Sequence, residues 1–486
     1  MPECFDESVR DENRLAMGNV VGDLAMEYFG DFEEVPFSRN KEEMIATTQA
    51  LMDKNVPIIA EASFSYDDNF CSVDILKKVE GGYELVEVKS SSFSPEDDLK
   101  KVDAFHLHDM SYQVYVLSNL RIPIKKASLM QLNKEYVREG ELNLQELFLL
   151  TDCTTPVFKL LADVPERIQH IKEEAFQSEE LKTGIGKHCF SPFRCGYQKH
   201  CFKHLPENNI FTVGWRLSNG KKEEYYQRGF VDFEEIDMGV QSGAIELNEK
   251  QIRQIQTMLH DLPPHIDQVT ICKFLKKLRY PLYHLDFETF QQTIPEWDGV
   301  RPYQQIPFQY SIHIQEEPGG QVTHKEFLAE EGRDPRRVLA QQLCKDIPMT
   351  DEACVLAYWQ SFEKGRIAEL AQVFPDLREH LLWIHDNIMD LATPFHSGAY
   401  YHRDMAGSFS IKSVLPALFP DEPELDYNQL GLIKHGGDAM NTFPILHTKS
   451  PEEIKEYREA LLAYCHLDTL AMVKVLEKLE EMVQES

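Results

Sequence analysis

The segment Pro281-Leu-Tyr-His-Leu-Asp286-Phe-Glu288-Thr289 is an apolar strand that ends in two acids spaced two residues apart. Strand alternation puts Asp286 and Glu288 on one face. Near the C-terminus, Leu-Leu-Ala-Tyr464-Cys-His-Leu-Asp468-Thr reads as helix, where Tyr464 and Asp468 are i and i+4 and share a face. Between them, Ala357-Tyr-Trp-Gln-Ser-Phe362-Glu363 reads as a strand end followed by a helix with Glu363 in its first turn. Four carboxylates brought together can hold two divalent ions roughly 3.5–4 Å apart, which clamp an attacking and a leaving oxygen. Asp390, in IMDLATPF, is a rival for a supporting role.

A second acidic constellation lies upstream. CSVDILKKV carries Asp74 and YELVEVKSS carries Glu87 and Lys89, with KKVEGG as the hairpin turn between them. Glu87 and Lys89 share a face, and Asp74 lies on the paired strand. Two carboxylates and a lysine can bind one divalent cation and steady a water. Glu61 is a further ligand candidate, and an ordinary solvated strand face is the plain alternative.

Ten cysteines occur, and three cluster as Cys189-x5-Cys195-x5-Cys201. Thiolates bind zinc or iron–sulfur clusters because they are soft and anionic. Zinc sites usually use C-x2–4-C pairs, which are missing here. His188, His200 and His204 keep zinc open as the lesser alternative, and three reduced cysteines without a ligand remain a third.

Composition narrows the classes. With 50 Lys and Arg against 81 Asp and Glu, the net charge is −31. That opposes non-specific nucleic-acid binding, which rests on neutralising phosphates, yet clustered carboxylates can bring phosphates in through metal ions. Hydrophobic residues at 42% and charged residues at 27% exclude wholesale disorder. No apolar run approaches the ~20 residues of a membrane span. MPECFDESVRDENR lacks an apolar signal core, so the cytoplasm is expected, and there the cysteines do not form a disulfide framework.

The spacing predicts a helix over 12–30, strands in VPIIAEASFSY, CSVDILKKV, YELVEVKSS and YQVYVLSNL, and charged helix over 158–182. Residues 206–275 read as a connector whose helix LNEKQIRQIQTMLHDL is ended by Pro263 and Pro264. Three strands follow from 281 to about 329, with a hairpin at EPGG, and then helices alternate with short strands. GGDAM at 436–440 reads as a turn. GSFSIKSVLPAL reads as a packing helix from which Lys412 could reach a phosphate. The expected architecture is α/β, with domains at 1–205 and 276–486 and a helical connector at 206–275.

Asp74, Glu87, Lys89, Gln113 and the cysteines after them resemble the RecB-type PD-(D/E)XK nucleases, in the iron–sulfur-containing CRISPR-associated and AddB-like branch. The resemblance implies a restriction-endonuclease-like module with one metal site on Asp74, Glu87 and Lys89. It also implies a [4Fe–4S] cluster on Cys189, Cys195 and Cys201, with Cys4 as the one cysteine before the first helix. Asn19 stands where that family often has histidine, and Tyr115 lies two residues beyond Gln113 rather than at the family's tyrosine position. Asp286, Glu288, Glu363, Tyr464 and Asp468 resemble the DEDD exonucleases of the ribonuclease H-like (DnaQ-like) fold, tyrosine subtype. The histidine subtype would need histidine at 463, where Ala463 stands, and Glu363 replaces the family's usual aspartate. YPLYHLDFETF, GSFSIKSVLPALFP and YCHLDTLAMV together resemble an uncharacterised bacterial family in which such a domain follows a RecB-like module.

These resemblances imply a metal-dependent nuclease acting on DNA or RNA, with Mg²⁺ or Mn²⁺ as cofactor and 3′–5′ polarity at the C-terminal site, where Tyr464 positions the water. The other readings are a nucleic-acid-binding scaffold with degenerate sites and a redox-responsive regulator. No membrane contact is expected, and the sequence names no protein partner.

Overall fold

The computed structural model describes residues 2–7, 12–179 and 183–484. It is a mixed α/β protein. The chain divides into two compact units. One comprises Glu7–Gly184 with Gln292–Gln304, and the other comprises Met1–Asp6, Ile185–Gln291 and Gln305–Ser486. The segment 185–205, which carries the three clustered cysteines, and the expected connector 206–275 thus both belong to the second unit.

The first unit opens with α1 (Glu12–Tyr28), β1 (Glu33–Glu34) and α2 (Lys41–Asp53). A meander follows: β2 (Ile58–Tyr66), β3 (Asn69–Val79) and β4 (Gly82–Phe93). Then come α3 (Ala104–Asn119), β5 (Ile124–Asn133) and β6 (Phe148–Asp152). The sheet order is β1-β2-β3-β4-β5-β6. β2, β3 and β4 pair antiparallel, while β4 and β5 pair parallel. Parallel neighbours need a crossover, and α3 supplies it. The β3–β4 turn depends on glycine. Gly81 has φ +76°, and a Cβ on Gly82 would fall 2.2 Å from the Pro123 carbonyl oxygen.

Two cores cover the two faces of this sheet. Leu76, Leu85 and Leu129 pack with Met110, Val114 and Leu117 of α3. Ile75, Val86 and Met130 pack with Val21 and Ala25 of α1. The expected strand YQVYVLSNL is a correction, since residues 112–119 lie inside α3. Buried Met110, Gln113, Val114 and Leu117 recur at helical spacing and decide it. The charged stretch after β6 forms the helices Thr154–Leu160 and Val164–Ala175. The helix expected to run to 182 is a correction, since it ends at Ala175 and residues 176–179 are not helical; residues 180–182 lie outside the described residues.

In the second unit, the stretch expected as connector builds four helices: α4 (Asn219–Gln227), α5 (Phe233–Gln241), α6 (Glu249–His260) and α7 (Gln268–Leu275). Reciprocal capping by Asp232 with Glu235, and by Asn248 with Gln251, starts α5 and α6. Ile210, Val213, Tyr225, Phe233, Ile236 and Ile255 give this region its own core, which a mere linker would not have.

The second sheet has the order β9-β8-β7-β10-β11, built from β7 (Leu282–Gln291), β8 (Gln305–Gln315), β9 (Val322–Leu328), β10 (Cys354–Ala357) and β11 (Ile388–Asp390). β7, β8 and β9 are antiparallel, and β10 runs parallel to both β7 and β11. One face carries Tyr283, Leu285, Phe287, Tyr310 and Ile312. It packs on α8 (Arg336–Asp346), α9 (Ser361–Val373) and α10 (Arg378–Asp386). The expected packing helix is α11 (Ile411–Leu418). GGDAM is a correction: it lies in α12 (Gly436–Thr442), where His435 and Asp438 form a reciprocal cap. The chain ends in the 34-residue α13 (Pro451–Gln484), which lies against β8 and β7.

Candidate active site

The sequence places Asp286 and Glu288 on the face of β7 opposite the apolar core, and the structure sets α13 over that face. Burial, then Asp468, Glu288 and Glu363 in turn, raise Asp286 well above the usual carboxylate range. Burial and Asp468 do the same to Glu288. Asp468 is pushed up to about 6 by burial, opposed by hydrogen bonds from Tyr427 and Tyr464 and by Lys412. Glu363 is pushed up to about 8, mainly by burial, with Asp390 adding to it. Acids predicted from three separate segments therefore meet around Asp286, which feels Glu288, Glu363 and Asp468.

Their surroundings show how the group is held. The Tyr427 hydroxyl donates to Asp468 Oδ1 at 2.6 Å. The Lys412 amine donates to the Tyr464 hydroxyl oxygen at 3.0 Å and lies 4.8 Å from the centre of the Tyr427 ring. Glu363 is 2% exposed, and its Oε2 has no hydrogen-bond partner. Cys465 Sγ lies 3.9 Å from Asp286 Oδ2, and Asp286, Glu288 and Cys465 each offer a donor atom within 4.8 Å of the other two. Asp390 has a supporting place: its Oδ1 accepts the backbone N–H groups of Trp359 at 3.0 Å and Ala392 at 2.9 Å.

This is a carboxylate cluster with too little positive charge. Among the described residues, no lysine or arginine forms an ion pair with Asp286, Glu288 or Asp468. Buried unpaired carboxylates either take up protons or hold cations. Hard oxygen donors of this kind suit Mg²⁺ and Mn²⁺.

The first unit gathers the upstream set. Glu61 stands between the registered pairs Ala60–Ile75 and Ala62–Val73, which puts it opposite Asp74. Glu61 has φ 54°, a left-handed conformation that is strained for glutamate. Burial, then Asp74 and Glu34, push Glu61 up to about 7. Burial pushes Asp74 up to about 6 and, with Asp74 beside it, Glu87 up to about 8. The Val88 N–H donates to Asp74 Oδ2 at 2.6 Å. Lys89 donates to Glu87 Oε1 and, at 3.1 Å, to Asp109 Oδ2. Gln113 Nε2 donates to Glu87 Oε2 at 2.6 Å. Asp74 and Glu61 line a cleft of about 530 Å³ together with Asn19, Asp23 and Glu34.

The cysteines sit in the second unit. Cys195 N–H donates to the Cys189 carbonyl at 3.1 Å, and Cys189 is buried while Cys195 and Cys201 are half-buried. The Asp6 N–H donates to the Gly196 carbonyl at 2.8 Å, and Phe5 packs edge-on against Tyr197. Cys4 is thereby held next to the Cys195 loop. Among the described residues, Cys189, Cys195 and Cys201 are not a set whose donor atoms all lie within 4.8 Å of one another. One zinc ion needs that closeness, whereas a cluster with one iron per thiolate does not.

Tyr427 and Cys465 escaped the sequence reading, and so did Lys412's contact with Tyr464. Tyr427 lies 41 residues from Asp468 in an irregular stretch, where no periodicity marks it. Cys465 did carry a signal, since it adjoins Tyr464 on a helix whose neighbouring turns face the acids.

In comparison with known proteins, residues 283–410 match the family described as “Domain of unknown function (DUF2779)”. The match takes in Asp286, Glu288 and Glu363 and stops before Tyr464 and Asp468. No curated protein and no solved structure matches the chain. No helix among the described residues is long and apolar enough to cross a membrane.

Proposed function

We propose that this chain is a metal-dependent nuclease of the cytoplasm that hydrolyses phosphodiester bonds of DNA or RNA. In this reading the second unit is a ribonuclease H-like 3′–5′ exonuclease of the DEDD tyrosine subtype. The first unit is a RecB-like PD-(D/E)XK module with a second site. The observation that carries the reading is the meeting of Asp286, Glu288, Glu363 and Asp468 beside Tyr464, with no ion-paired cation on three of them.

Asp286, Glu288, Glu363 and Asp468 would hold Mg²⁺ or Mn²⁺, which supply Lewis acidity and an acidified water when bound. The chain's own groups set the geometry. The Lys412 amine donates to the Tyr464 oxygen and Tyr464 donates to Asp468, so the phenol is oriented beside the carboxylates. From there Tyr464 positions the attacking water. Tyr427 holds Asp468 in its ionised form by hydrogen bonding. In the first unit, Asp74 and Glu87, with Glu61 beside them, would hold one ion, and Lys89 would face the scissile phosphate. Cys4, Cys189, Cys195 and Cys201 would bind a structural [4Fe–4S] cluster.

The test is anaerobic purification followed by incubation of end-labelled single- and double-stranded DNA and RNA with Mn²⁺. Wild type would run beside Asp468→Ala and Glu87→Ala. Laddering lost in Asp468→Ala supports the assignment to the second unit. Loss only in Glu87→Ala moves the activity to the first. Binding without turnover by wild type overturns the enzyme reading in favour of a nucleic-acid-binding scaffold.

A further inference from the structure

The face of β8 beneath α13 is polar where a sheet covered by a helix is usually apolar: Gln309, Ser311, His313 and Gln315 are all buried there. His313 pairs directly with His284 of β7 and with His324 of β9. Directly opposed residues share a face, so three histidines form a row across three strands. A fourth, His466, comes from α13 above them. The rings of His313, His324 and His466 pack with centroids 4.4–4.8 Å apart. Each offers a ring nitrogen, and these three atoms lie within 4.8 Å of one another.

We propose that His313, His324 and His466 form a transition-metal site of the zinc class, separate from the carboxylate cluster. His466 Nδ1 and His324 Nε2 are 3.3 Å apart. That matches the edge of a tetrahedron with zinc–nitrogen legs of about 2.0–2.1 Å, which comes to ~3.3–3.4 Å. The orienting groups are also present. His313 Nδ1 meets Thr469 Oγ1 at 2.8 Å, leaving Nε2 as its ligand atom. Ser311 Oγ bonds both Thr469 Oγ1, at 2.6 Å, and His324 Nε2, at 2.9 Å. A hydroxyl on the far nitrogen of a ligand histidine fixes its tautomer, as Thr469 does for His313; Ser311 meets His324 on the nitrogen that would bind the ion and would give up that contact, keeping its bond to Thr469. His313 is buried, while His324 and His466 are half-buried, so a fourth position opens toward solvent and can take water. His284, next in the row, is fully buried with neither ring nitrogen hydrogen-bonded. A polar row of this kind under a helix suits an ion better than it suits a packed core. Imidazole donors select zinc-class ions over Mg²⁺. A bound ion would tie the edge strand β9 to the helix that carries Tyr464 and Asp468, whether or not the carboxylate site is hydrolytic.

The full-length protein, stripped with chelator, is titrated with Co²⁺ in excess Mg²⁺, which occupies the carboxylates. Wild type is expected to bind one equivalent with the intense visible bands of tetrahedral cobalt and without thiolate-to-cobalt charge transfer, a pattern that excludes the cysteines. Zn²⁺ should displace it. His324→Gln, on a half-buried edge-strand position, should weaken binding at least 100-fold. Thr469→Val should weaken it about 10–100-fold. If His466→Gln fails to fold, His324→Gln alone decides. Absence of the tetrahedral bands in wild type overturns the site, and so does an unchanged Co²⁺ affinity in His324→Gln.

Discussion

The two carboxylate sites meet the same electrostatic problem in opposite ways. In the first unit burial and Asp74 raise Glu87, but both of its oxygens have partners: Lys89 binds one and Gln113 the other. In the second unit Lys412 stands near the acids but donates its hydrogen bonds to the Tyr464 hydroxyl and the Lys434 carbonyl. Glu363 there keeps an oxygen with no partner. A buried carboxylate with a partner on each oxygen depends less on a visitor, whereas buried acids whose nearby lysine forms no ion pair with them are stable only when protonated or when cations arrive. The second site is therefore the one whose stability and chemistry should follow divalent ions.

The largest expected effect is on turnover. Asp468→Ala should lower Mn²⁺-dependent cleavage by about 10³-fold, equivalent to roughly 4 kcal/mol of metal-ion stabilisation. Glu87→Ala should change it only a few-fold in the same gel assay. The reverse ranking would break the comparison.

Next comes the dependence on pH. Glu363 and Glu87, at about 8, Glu61, at about 7, and Asp468 and Asp74, at about 6, all titrate above their unfolded values. The folded metal-free chain thus binds more protons than the unfolded one, and its stability falls as pH rises from about 5 to 8. Thermal unfolding should show Tm dropping across that window. Mn²⁺ should raise Tm more at pH 8 than at pH 6, and Asp286→Asn should reduce the gain. A Tm that rises with pH in the metal-free protein would contradict the picture.

Lys89→Met should destabilise the chain by about 2 kcal/mol in urea unfolding. That is below the ~3–5 kcal/mol of a fully buried pair, because Lys89 is partly exposed. Lys412→Met should cost less stability and more turnover. Equal stability losses would blur the distinction between the sites. The smallest effect is assigned to Tyr427→Phe, which should raise the apparent Mn²⁺ Kd about 10-fold by removing the bond to Asp468. Isothermal titration would measure it.

Much of this was legible in the chain because strand alternation and helix spacing are local. Asp286 with Glu288, and Tyr464 with Asp468, follow from periods of two and of 3.6 residues. Glu363 was legible from its place at a helix start. The residues that complete the sites were not. Tyr427, Lys412 and Asp109 reach the acids from irregular or distant segments, where only the folded chain brings them close. The histidine row was hidden for a related reason. His284, His313 and His324 are neighbours only through strand register, and register depends on tertiary pairing. Two local readings failed by degeneracy. Residues 112–119 hold enough β-branched and aromatic residues to pass for strand, and Gly436-Gly437 resembles a turn until the cap from His435 is seen.

Helix α13 carries Tyr464, Cys465, His466, Asp468 and Thr469 within a turn and a half, and these side chains serve two different neighbourhoods on one sheet face. Each residue advances the helix by about 100°. The two clusters are therefore phase-locked. A single residue gained or lost just before Tyr464 would swing all five side chains out of place together. The chain can drift in length at the ends of this helix or in the loops before it, but this stretch behaves like a key whose teeth cannot be shifted one at a time.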